Sequence, residues 1–220
     1  HRATFLMLIA LPALSLAGVA AGARLFPPAT AYAARATVRL RAVRVPFAGS
    51  VLAPIAADLY FFVVPLFATG IGIGASTIGI ILGCCSGVSL GVRALLPLLL
   101  ARMRAWTMVT GTFLVTGAAF VLLPHTTSTP LLVLLSVVAG ASMGLSSPII
   151  ISLLYGTLPP GRQAEVIGVR AVLMSGGQVA APMLAGGLST ALGLAPVLAV
   201  VGSGVILFGW MTHSRSRDQV

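Results

Sequence analysis

Residues 24–44 read RLFPPATAYAARATVRLRAVR, a segment that gathers Arg24, Arg35, Arg39, Arg41 and Arg44 around the adjacent prolines Pro27 and Pro28. Long apolar runs lie on both sides of it, 3–25 before and 45–68 after. Five more follow at 76–100, 106–123, 131–154, 166–188 and 195–211. A helix rises about 1.5 Å per residue and needs about 20 residues to cross a hydrocarbon core about 30 Å thick. Each run is long enough for that, so the chain reads as seven membrane spans.

The gaps between the runs set the threading. The gap at 69–75 carries no charge, whereas Arg93, Arg102 and Arg104 flank the next one. Residues 124–130 hold only His125, Arg162 and Arg170 border the following gap, 189–194 is uncharged, and Arg215 and Arg217 come after the last run. Arginines therefore mark every second gap. By the positive-inside rule those gaps are cytoplasmic, which places the N-terminus outside and the C-terminus inside. Only Arg2 falls on the other side.

With 58% hydrophobic and 7% charged residues, the composition excludes an ordinary soluble domain, in which about 25% of residues are charged. The expectation is an all-α integral membrane protein in contact with the lipid bilayer, placed in a bacterial inner membrane. The net charge of +10 would suggest nucleic acid in a soluble protein. Here the topology accounts for it, no basic stripe interleaved with aromatics exists, and no nucleic-acid partner is expected. Cys84 and Cys85 are neighbours on one apolar helix, face about 100° apart, and read as small packing residues. Residues 3–23 resemble a signal peptide, but five arginines follow the apolar region instead of preceding it. The chain begins at His1 without an initiator Met, which reads as a cut through a longer protein.

Four parts are expected: 1–25, the last span of a mostly missing N-terminal bundle; 26–44, a cytoplasmic linker; 45–211, a six-helix bundle; and 212–220, a cytoplasmic tail. Gly70, Gly72 and Gly74 imitate a phosphate-binding fingerprint, yet they lie in a short uncharged turn between two spans and read as a turn.

The fifth run holds Gly140, Gly144 and Pro148, a small-xxx-small face followed by a residue that frees a backbone carbonyl. After it come Leu158-Pro159-Pro160-Gly161-Arg162-Gln163-Ala164-Glu165-Val166-Ile167-Gly168 and then Gly176-Gly177-Gln178-Val179-Ala180-Ala181-Pro182-Met183-Leu184-Ala185-Gly186-Gly187. This order resembles the C-terminal half of a major facilitator superfamily transporter of the drug-efflux type. The spacing of Gly168, Gly177, Pro182 and Gly186 is similar to that family's antiporter motif, with Ala181 where a Gly is expected. The family's charged loop between paired helices survives only as Arg93, Arg102 and Arg104. The resemblance implies a six-helix C-terminal bundle plus one preceding span, packed against an N-terminal bundle of the same full-length chain.

Asp58 is the acid placed within a run, about 13 residues or ~20 Å from its inner end. An intramembrane carboxylate costs at least ~2.5–3.5 kcal/mol and is functional by default. Asp58 is therefore expected to bind and release a proton or a cationic substrate, the alternative being a protonated side chain bonded to backbone at kinks near Pro54 and Pro65. Arg170, Met174, Gln178 and Pro182 recur at steps of four on one helix face. Gln178 lines a substrate path or makes an interhelical hydrogen bond. Tyr60, with Phe61 and Phe62, offers an aromatic wall to a cationic substrate or packs against other helices. Arg93 pairs with Asp58 or snorkels to the surface. Arg102, Arg104, Arg162, Glu165 and Arg170 are inner-loop charges, which the resemblance associates with gating.

The functional expectation is a secondary transporter moving a small molecule by alternating access, with proton-coupled efflux as the direction. The rivals are a polytopic scaffold or receptor and a half-size transporter acting as a dimer. A membrane enzyme would need a polar constellation at one depth. The histidines at 1, 125 and 213 sit at ends or loops, so neither a metal site nor a cofactor is expected.

Overall fold

A computed structural model describes residues 40–126, 128–158 and 163–217. The first apolar run, most of the linker and Arg162 lie outside the described residues. Within them the elements run α1 (Leu40–Gly70), α2 (Ala75–Ala94), α3 (Leu96–Arg102), α4 (Ala105–Leu122, extended by a 3-10 turn at Leu123–His125), α5 (Thr129–Thr157), α6 (Gln163–Leu192) and α7 (Leu194–Arg217). There is no strand among the described residues. Among the described residues six helices are long and apolar enough to cross a membrane: Val43–Gly70, Ala75–Ala94, Ala105–His125, Thr129–Thr157, Gln163–Leu192 and Leu194–His213.

Two of the helices, α1 and α6, stop where the sequence supplies glycine. Gly72 takes φ +81, a conformation open to a residue without Cβ. It lets Ile73 N–H return to the carbonyl of Ala68 at 2.9 Å, the long bond of a Schellman cap. The glycines at 70, 72 and 74 thus form the predicted turn. Gly193 ends α6 in the same conformation at φ +85, with its N–H on Ser189 O at 3.0 Å. The run 76–100 is not one rod. It breaks at Leu95 between α2 and α3, two residues before Pro97, whose missing N–H cannot continue the helical ladder. At the other end, α1 begins five residues earlier than the apolar run and takes in Arg41 and Arg44.

Close crossings hold the bundle together. A Cβ at Gly117 would lie 2.7 Å from Gly202 O, and one at Gly202 would lie 2.7 Å from Gly117 O. α4 and α7 therefore meet backbone to backbone, the packing that small residues permit in lipid. Next to this crossing, Phe113 and Phe208 stack edge to face at 4.9 Å. Gly140 lies against the carbonyl of Cys85, and four residues on, Gly144 lies against Ser89, with its would-be Cβ 2.5 Å from Ser89 O. The contacts advance together, so α5 and α2 run parallel. Buried hydroxyls pair across helices: Thr110 with Thr212 at 2.9 Å and Thr116 with Ser142 at 2.9 Å. The core that α1, α4 and α5 build includes Tyr60, Val63, Val64, Phe113, Phe120, Leu132 and Ile150. In contrast, α6 buries only Ala185 among its described residues, and α2 only Ile78, Ile81 and Cys85.

Candidate functional site

The site is a seam between α1 and α6. Pro54 interrupts α1; lacking an N–H, it leaves the carbonyl of Ser50 without its helical donor. Arg170 Nη2 fills that position at 3.1 Å. Two turns further along both helices, Gln178 Nε2 donates to Asp58 Oδ2. Both bonds join residues 120 apart in sequence, so the two helices run parallel in a fixed register. The stripe Arg170, Met174, Gln178 and Pro182 therefore faces Ser50, Pro54, Asp58 and Phe62. Between the two bonds, Gly177 allows the close approach, since a Cβ there would overlap Ile55 Cδ1. Gly186 extends the seam against Phe62, with its would-be Cβ 3.9 Å from the ring.

Asp58 and Gln178 lie about halfway along the spans Val43–Gly70 and Gln163–Leu192. Asp58 is exposed and Gln178 half-buried, so the pair sits on the open side of the bundle, away from its core. Pro182 adds a further polar group. It interrupts α6 and removes the helical donor of the Gln178 carbonyl, so this residue presents an amide and a backbone oxygen at one depth. A carboxylate, an amide and a freed carbonyl are the groups that can hold a proton or a small cation in a water-accessible cavity.

The other sequence candidates fall elsewhere. Tyr60 is fully buried and bonds Ser136 Oγ at 3.1 Å, with its ring edge to face on Phe120 at 5.6 Å and 83°. It points into the core and is not on the Asp58 face. The reading of Tyr60, Phe61 and Phe62 as one wall therefore divides, since Phe62 is exposed on the seam while Tyr60 is interior. Arg93 gives its Nε to Gly144 O at 3.2 Å, so it engages α5, while Asp58 engages α6. The carbonyl it meets is the one that Pro148 frees in α5. Arg102 and Arg104 are exposed at the turn between α3 and α4. Glu165 lies in the first turn of α6, where a helix N-terminus favours an acid. Gly168 has open space around it, whereas Gly140, Gly144 and Gly177 are at close helix contacts. Cys85 is buried and Cys84 half-buried. Among the described residues no three of His, Cys, Asp and Glu converge on a possible metal.

Sequence reasoning missed the tight crossing of α4 and α7. Its signal was present in Gly117, Gly202 and Gly209, but these glycines lie on different runs without a common motif.

Spanning helices around a mid-depth polar pair that is open on one side are the build of a membrane transporter. The chain matches the family model of the Major Facilitator Superfamily over residues 2–182 and 46–217, and it belongs to that superfamily of integral membrane transporters. No curated protein and no solved structure matches at a significant level.

Proposed function

We propose that this chain supplies the C-terminal bundle of a secondary active transporter that exports a small apolar or cationic molecule in exchange for protons. The observation that carries the reading is the Asp58–Gln178 bond at mid-span on an open seam. Asp58 is the proton- or cation-binding group. Gln178 holds its carboxylate in one protonation state and releases it in the other, because a protonated carboxyl no longer attracts the amide as an ionised one does.

The partner of the open faces is the N-terminal bundle of the same full-length chain, of which 3–25 is the last span and 26–44 the cytoplasmic connection. α6 and α2 suit that partner. Their exposed faces mix Val172, Val179 and Leu90 with Gly176, Gly187 and Gly87, and small residues of this kind favour helix packing over contact with lipid. A second copy of the chain is the competing partner, and the same faces would receive it. With the arginine-bearing gaps on the cytoplasmic side of a bacterial inner membrane, Arg162 and Glu165 form the inner gate, next to the Arg170 anchor of the seam. The open face beside Asp58 is then exposed to alternate sides as the bundles rock.

The test is proton-driven uptake of a hydrophobic cationic dye into inverted vesicles carrying the full-length protein. Asp58→Asn should abolish gradient-driven accumulation while the protein still binds dye. Accumulation at the wild-type rate in Asp58→Asn would remove Asp58 from the coupling step.

A further inference from the structure

On another face, α4 and α5 line an open groove of about 430 Å³ with an almost wholly apolar lining. One wall is a ladder at steps of four, Met103, Thr107, Gly111 and Val115, and the other includes Val138 and Leu145. Gly111 widens the groove, because nothing lies within 4 Å of where its Cβ would be. From Thr107 to Val115 the ladder covers two turns, about 12 Å. The Met103 end adds most of the remaining depth of one leaflet's hydrocarbon, about 15 Å. The groove is thus one acyl layer deep.

Its mouth, at Met103, is flanked by charge. Met103, which lines the groove, stands between Arg102 and Arg104, and both arginines are exposed. α4 starts at Ala105, so its first backbone N–H groups and the positive end of its dipole add to the same place. An apolar slot of leaflet depth whose Met103 end is flanked by two exposed arginines matches an amphiphile with one chain and one anionic head. Guanidinium binds phosphate through paired N–H donors. We propose that the α4–α5 groove holds an acyl chain of an anionic phospholipid whose phosphate rests against Arg102 and Arg104.

Trp106 lies next to the mouth and serves as the reporter. In the chain carrying Trp210→Phe, its fluorescence is measured in phosphatidylcholine vesicles containing dibrominated phosphatidylglycerol or dibrominated phosphatidylcholine at equal mole fraction. The apparent association constant for the anionic lipid should exceed that of the zwitterionic lipid about tenfold, as two arginines at a membrane surface allow. Arg102→Gln with Arg104→Gln should bring the ratio to about one. Gly111→Phe, which fills the slot and leaves both charges in place, should weaken quenching by both lipids. Equal constants in the parent chain overturn the proposal. So does a preference that survives the arginine substitutions, or quenching by the anionic lipid that is indifferent to Gly111→Phe. The readout is independent of transport, so it stands or falls apart from the role of Asp58.

Discussion

Arg93 donates from Nε to the backbone oxygen of Gly144 at 3.2 Å, the carbonyl four residues before Pro148 and therefore the one whose helical donor that proline removes. Arg170 repeats the arrangement with Ser50 O, four residues before Pro54, at 3.1 Å. In both cases an arginine from a neighbouring parallel helix supplies the donor that a proline withholds. A kink in lipid leaves a polar group that water cannot reach, and these arginines satisfy it from outside the kinked helix.

The coupling can be measured with a double-substitution cycle. Arg93→Met should lower resistance to SDS-induced unfolding by about 1.5–3 kcal/mol, the range for a hydrogen bond from a charged donor. Pro148→Ala restores the helical N–H, and in that background the same Arg93→Met change should cost less than about 1 kcal/mol. Equal costs in the two backgrounds would show that Arg93 does not serve the freed carbonyl.

The crossing of α2 and α5 depends on two missing side chains. Gly144→Val would drive a Cβ to 2.5 Å from Ser89 O, against backbone that cannot rotate away. It should destabilise the bundle by about 1–3 kcal/mol or more. Gly168→Ala, in open space, should leave the unfolding midpoint within experimental error. A neutral Gly144→Val would mean that α2 and α5 sit further apart than described.

Tyr60 separates core from pathway. Tyr60→Phe keeps the ring against Phe120 and deletes the bond to Ser136, so stability should fall by about 0.6–1.7 kcal/mol, as for interhelical bonds in membranes. Dye transport by Tyr60→Phe should keep the parent's substrate preference. A changed preference at unchanged stability would return Tyr60 to the pathway.

Gln178 reports on access to the seam. With Cys84 and Cys85 replaced by Ser, Gln178→Cys should react with a polar thiol reagent, and the rate should change when a proton gradient is imposed. Complete inertness under both conditions would place Gln178 among purely structural residues.

Much of this arrangement was legible in the chain. Run lengths gave the six described spans, because hydrophobic length is a one-dimensional property. The step-of-four stripe gave the face of α6 that meets α1, because helical periodicity is local. The partner of each polar residue was not legible. Arg93 could be placed at a depth but not opposite Gly144, since which helix lies beside which is decided by packing among residues far apart in sequence. For the same reason Tyr60 and Asp58, two positions apart on α1, looked like one site, although the helical turn sends one into the core and the other to the open face. The α4–α7 crossing remained hidden because Gly117 and Gly202 acquire meaning only in each other's presence.

The constant 120-residue spacing of the two seam bonds makes α1 and α6 a vernier with a single matching position. Sliding one helix past the other by a turn would set Asp58 opposite Met174 or Pro182, a thioether or a ring without N–H, and would carry Arg170 off the Ser50 carbonyl in the same movement. Intermediate positions satisfy neither bond. The two helices therefore travel as one blade, and any movement of their neighbours beside Asp58 has to pivot at that blade's edges instead of shearing along its middle.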